Sequence, residues 1–133
     1  MLMNKFYKTI LISLTLMVLP PTLTQAEPIT IKDGAIATAI KNLIPQKTAQ
    51  SFPATVGMLY CFTKVVGSKT ETSITHTWYY QDKKMSEVVL PVKSLYWRTW
   101  SEKKIIPEHK GAWRVDVTSG DGTLLKTITF TIE

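Results

Sequence analysis

The chain has 133 residues, 44% of them hydrophobic, and a formal net charge of +6 at neutral pH. That length fits one small domain with a single core, and a lone cysteine, Cys61, rules out an internal disulfide. The lysines are scattered, with adjacent pairs only at Lys83-Lys84 and Lys103-Lys104, whereas a nucleic-acid-binding face would cluster them.

The first segment reads as a targeting signal. Lys5 and Lys8 precede an apolar run from Ile10 to Leu19, and Pro20-Pro21 end it. Small residues at Thr24 and Ala26 then predict cleavage after Ala26. The apolar run is about half of the roughly 20 residues that a spanning helix needs. Residues 1–26 are therefore expected to be a cleaved secretory signal, and no cysteine there could carry a lipid. The product is expected in the periplasm or outside a bacterial cell, with no membrane span left after processing. Lys5 and Lys8 also supply two of the six net positive charges.

Residues 27–55 read as an N-terminal strand and a connecting loop, forming one domain with the core at 56–133. Within them, Ile36, Ile40, Leu43 and Ile44 have helical spacing, yet Ile36, Thr38 and Ile40 also alternate as a strand would. Gly34 and Pro45 bound the stretch either way, and polar residues 46–54 read as a loop.

Period-2 alternation dominates beyond residue 55. Met58 to Val66 is aromatic and β-branched and ends at Gly67-Ser68. Cys61 within it reads as a small buried hydrophobe. On the next strand, Ile74, His76, Trp78 and Tyr80 share one face. A polar turn at Gln81 to Lys84 leads to a strand around Val88 to Leu90, which Pro91 either places at a sheet edge or ends early. Leu95 to Ser101 alternates Leu95, Trp97 and Thr99 against Tyr96, Arg98 and Trp100. Trp113, Val115 and Val117 share a face of the last hairpin, whose turn is Ser119-Gly120-Asp121-Gly122. The final strand is expected to turn Leu124, Ile128, Phe130 and Ile132 inward. Short strands at this spacing predict an all-β fold, a small antiparallel β-sandwich of immunoglobulin-like kind, with a partly open β-barrel as the alternative.

The runs Leu59-Tyr60-Cys61-Phe62-Thr63, His76-Thr77-Trp78-Tyr79-Tyr80, Trp97-Arg98-Thr99-Trp100-Ser101 with Lys103, and Gly111-Ala112-Trp113-Arg114-Val115 occur in that order. With the closing Asp121-Gly122 and Phe130, they resemble the bacterial domain of unknown function numbered 2914, over roughly residues 58 to 133. The resemblance implies an all-β domain of an exported or membrane-attached protein and favours a strand over residues 35–44. It implies no activity.

The polar residues among the aromatics define the candidate site. No second histidine or carboxylate stands at ligand spacing around His76, so no metal and no cofactor is expected, and a hydroxyl or carbonyl partner in a semi-buried network is the plain reading. Arg98 beside Trp97 and Trp100 could stack on an indole or grip a carboxylate; pinning neighbouring strands is the plainer reading. Ser101 lacks the glycine-flanked turn of a hydrolase serine, and no pair of carboxylates is singled out for glycoside hydrolysis. Trp113 and Trp97 read as core, leaving Trp78 and Trp100 as candidates for exposure. The expected function is non-catalytic binding of a glycan or peptide through His76, Trp78, Tyr80, Arg98 and Trp100. The alternative is an accessory subunit of an envelope complex that uses the sheet edge near Pro91 or the N-terminal segment. A third reading is a hydrolase built on His76, Arg98 and Ser101.

Overall fold

The computed structural model describes residues 12–21 and 28–133. The signal expected over residues 1–26 falls largely outside them, and residues 12–21 are exposed and without regular secondary structure. The described strands are β1 (Thr30–Ala37), β2 (Ala39–Lys41), β3 (Ile44–Gln46), β4 (Ser51–Phe52), β5 (Met58–Val66), β6 (Thr72–Tyr80), β7 (Lys83–Val92), β8 (Tyr96–Lys104), β9 (Gly111–Ser119) and β10 (Leu124–Ile132). No helix of the described residues is long and apolar enough to cross a membrane.

Two sheets face each other. One runs in the order β1-β5-β8 and the other β4-β10-β9-β6-β7. Every pairing within them is antiparallel except the short parallel contact of β4 with β10. The chain is thus the all-β sandwich its alternation predicts, and the order follows the immunoglobulin pattern with β5 and β8 opposite β6 and β9. In that pattern β6 carries the buried tryptophan, Trp78, and β5 carries Cys61. Antibody domains bridge the two sheets with a disulfide here, but Cys61 has no second cysteine to meet. Burial in an apolar setting pushes its thiol far up from the ordinary range.

The core forms where the inward faces interdigitate. Leu59 and Cys61 of β5 meet Trp78 of β6, Trp113 and Val115 of β9, and Phe130 and Ile132 of β10. Phe130 organises the aromatics: its ring stacks on Trp113 at 5.8 Å and meets Trp78 edge-on at 6.1 Å. Rings so placed gain about 1 kcal/mol beyond their area burial. A second cluster, with Val65, Ile74, Val92 and Val117, closes the other end.

The stretch with two readings resolves as strand. Residues 35–37 complete β1, and β2 and β3 form a small hairpin through Asn42 and Leu43, both at positive φ. That pair of conformations makes a two-residue primed turn. Part of the expected loop at 46–54 is also strand, since β4 pairs with Thr131 and Ile132. The edge position of Pro91 holds, because β7 ends its sheet. One inward assignment does not: Leu124 is 56% exposed. The register shifts between Leu124 and Lys126, and a one-residue bulge reverses which side chain points inward. Leu125 packs on the second cluster in its place.

Candidate functional site

The five candidate residues separate into an interior group and a surface group. β6 turns Ile74, His76 and Trp78 towards the other sheet, and all three are fully buried. His76 and Trp78 therefore do not belong to an exposed patch. Alternation fixed that they share a face but not which way it points, and the large indole drew that face inward. Tyr80, on the same face near the strand end, is half-buried between His109 at 4.7 Å and Trp113 at 5.1 Å. Its hydroxyl donates to the Lys110 carbonyl at 2.7 Å.

His76 sits in a polar chain that joins three strands. Trp78 Nε1 donates to Ser101 Oγ at 3.0 Å, and Ser101 Oγ lies 2.7 Å from His76 Nδ1. On the other side of the ring, Nε2 is 3.1 Å from Thr63 Oγ1, which donates to the Thr99 carbonyl at 3.4 Å. The indole can only donate and the carbonyl can only accept, so the protons have one consistent order. The Ser101 hydroxyl donates to Nδ1, and Nε2–H donates to Thr63. The ring is neutral in this order, and burial lowers its pKa from 6.5 to about 4. Sequence reading anticipated a hydroxyl partner for His76 but did not find Thr63, which nothing distinguishes from other strand threonines.

The trio expected of a hydrolase does not assemble. His76 and Ser101 meet, but they are 0% and 4% exposed, and Arg98 points to the opposite face of β8, where it is exposed. Among the described residues, no three His, Cys, Asp or Glu side chains gather as metal ligands would.

The surface group lies on the outer face of the β1-β5-β8 sheet. Tyr96, Arg98 and Trp100 project from β8, opposite Val66, Lys64 and Phe62 of β5. Phe62 belongs to neither core cluster and yet is 1% exposed. The β2–β3 hairpin folds back over this face, with contacts to β5 and β1. Arg98 ties it down: Nη1 donates to the Leu43 carbonyl at 3.0 Å, and the guanidinium lies 5.8 Å from the Phe62 ring centre. Arg98 thus does act as a strand-to-loop pin.

Beside this pin opens a cleft of about 550 Å³, lined by Leu43, Lys64, Pro91, Tyr96, Arg98 and Trp100 together with Trp97, Thr99 and Ser94. Lys64 and Arg98 are its charged residues, and among the described residues no carboxylate pairs with either. Arg98 and Trp100 were the members of the expected patch that reach it. Leu43 and Lys64 were missed: Lys64 is an outward strand lysine like others, and Leu43 arrives through the fold of a remote hairpin.

Residues 71–132 match the model of a family described as "Protein of unknown function (DUF2914)". That part of the chain is similar to this family. The matched segment contains β6 to β10 and so supplies His76, Trp78, Ser101, Arg98, Tyr96 and Trp100. Thr63, Lys64 and Leu43 come from the chain before it, and both the polar chain and the cleft need them. No curated protein matches the chain.

Proposed function

We propose that this is an exported, non-catalytic binding domain whose ligand, a glycan or peptide bearing a carboxylate, occupies the cleft around Arg98 and Trp100. The observation that carries the reading is the pairing of two cations without carboxylate partners with three aromatic side chains in one concave surface. Apolar walls with few polar groups are the usual construction of a ligand site. Arg98 keeps guanidinium donors beyond the one spent on Leu43, and a guanidinium fork suits a carboxylate. The leader-like composition of residues 1–26 supports export.

The test is a fluorescence titration, with Trp97 and Trp100 as reporters in the cleft, against an oligogalacturonate, its methyl ester and a short glutamate-containing peptide. An acidic ligand should bind at least tenfold more tightly than its esterified form. Lys64→Ala should weaken that binding about tenfold without loss of folded structure. Equal response to acid and ester, or none to any probe, overturns the reading. The free edge of β8 favours a second reading, a protein-interaction role.

A further inference from the structure

Residues from both faces of β8 line the cleft, as does Pro91 of β7 in the other sheet. Trp97 and Thr99 lie on the inward side, and Tyr96, Arg98 and Trp100 on the outward side. Neighbouring residues of a strand belong to opposite faces, and a cleft that reaches from the outer face of β8 to Pro91 of the other sheet passes along the edge of the strand. β8 ends its sheet, paired with β5 alone.

The ladder fixes which backbone groups face that edge. Gly67 N donates to the Leu95 carbonyl at 3.0 Å, and Ile105 N to the Gly57 carbonyl at 2.6 Å. Between these two bonds the β5–β8 register is unbroken. Hydrogen-bonded and non-bonded pairs alternate in an antiparallel ladder, so Trp97, Thr99, Ser101 and Lys103 bond to β5. Tyr96, Arg98, Trp100 and Glu102 then turn their N–H and C=O groups outward. Three of these, Tyr96, Arg98 and Trp100, also line the cleft.

The other sheet edges are blunted. β4 has two residues, β7 contains Pro91 and a register shift, and β1 has a shift between Ile31 and Asp33. Short, kinked or proline-bearing edges resist pairing with other chains. Among the described residues, β8 is the sandwich edge with nine residues in continuous register.

We infer that the edge of β8 from Tyr96 to Glu102 binds an extended acidic segment of a partner protein, which adds to the sheet as a fourth strand. This rests on the binding reading above and names its ligand class. Charge selects the occupant: Arg98, Lys103 and Lys104 lie on the strand and Lys64 and Lys93 beside it, against Glu102 on the strand and Asp33 and Glu71 nearby, so cations outnumber acids along this edge. A second copy of β8 would bring these cations against each other, and like charges across a strand pair are destabilising. In strand addition, backbone bonds supply affinity and alternate side chains supply specificity. Every second residue of the segment would meet Tyr96, Arg98 and Trp100, and an acidic side chain there would reach Arg98 or Lys64.

The experiment uses a blocked eight-residue peptide of alternating valine and glutamate, with a valine–lysine peptide as control and an acidic copy N-methylated at alternate amides. The acidic peptide should bind at least tenfold more tightly than the basic one, weaken in high salt, and lose its binding on methylation in one of the two amide phases. Glu102→Pro removes an N–H that faces outward, so the domain should stay folded, as proline is tolerated at such edge positions. It should nevertheless weaken the acidic peptide tenfold or more. Lys103→Pro, which removes a ladder bond, should instead destabilise the domain. Three results overturn the inference: no binding of the acidic peptide, binding indifferent to methylation and to Glu102→Pro, or a β8-mediated dimer in sedimentation. If one of these three results appears while the oligogalacturonate still binds, the cleft reading survives and strand addition alone fails.

Discussion

His76 Nδ1 and Ser101 Oγ meet at 2.7 Å across the interface of the two sheets, in a place neither solvent nor ligand reaches. The same oxygen also takes the proton of Trp78 Nε1, so one hydroxyl satisfies two buried partners. Ser101→Ala leaves both unsatisfied, and each such group costs about 1–3 kcal/mol. Urea unfolding should show a loss of roughly 2–4 kcal/mol, with peptide or glycan binding at the cleft unchanged in the folded fraction. A serine that could be removed at no cost in stability would contradict the proton order assigned here.

The neutral ring makes stability depend on pH. Its pKa falls from 6.5 to about 4 on folding, so between those values the unfolded chain holds a proton that the folded chain does not. Stability then rises with pH across this window. The contribution is complete above about pH 6.5 and fades as pH drops towards 4, with a span of about 3 kcal/mol. A protonated ring would donate from both nitrogens and leave the Ser101 hydroxyl proton without its acceptor. The midpoint of thermal unfolding should fall steadily from pH 7 to pH 5, and His76→Gln should flatten that slope. An unchanged slope in the variant would assign the pH dependence elsewhere.

Leu43 adopts a φ of 61°, a region that costs a residue with a side chain about 1–2 kcal/mol. Strain of this kind persists where the surroundings impose it, and here Arg98 grips the Leu43 carbonyl. Leu43→Gly should stabilise the domain by about 1 kcal/mol in chemical denaturation. It also deletes an apolar wall of the cleft, so affinity for the acidic probe should drop severalfold. Opposite signs for stability and affinity are the expected result; a parallel change would detach Leu43 from the site.

Ser86 Oγ is buried and has no hydrogen-bond partner among the described residues. Ser86 stands opposite Trp78, where the β6–β7 register shifts before Tyr79. Removing an unsatisfied hydroxyl is neutral or favourable, so Ser86→Ala should keep or raise stability by up to about 1 kcal/mol. A loss above that amount would point to a bonded hydroxyl.

Much of the sandwich was legible because its signals are local. Alternation from Met58 onward fixes the strands, Asp121-Gly122 fixes the last turn, and the split between Trp97 and Trp100 follows from parity alone. Three things were not legible. The direction of the His76 face depends on which side of β6 meets the other sheet, a tertiary fact. The inward place expected for Leu124 failed at a bulge, which alternation cannot register. The cleft joins Leu43 to Arg98 across 55 residues of chain, and no local pattern brings them together. Arg98 and Trp100 could be singled out by their company; Lys64 could not.

The polar chain also constrains how the sequence can change over time. Trp78, Ser101, His76, Thr63 and the Thr99 carbonyl form a single donor-to-acceptor order, so no side chain in it can be swapped alone without orphaning a neighbour. Drift at these sites must be concerted. A relative with an apolar residue in place of His76 should also have lost the hydroxyls of Ser101 and Thr63, and a phenylalanine should stand where Trp78 does. Thr63 lies outside the family-matched segment, so the covariation would tie that segment to the strand that precedes it.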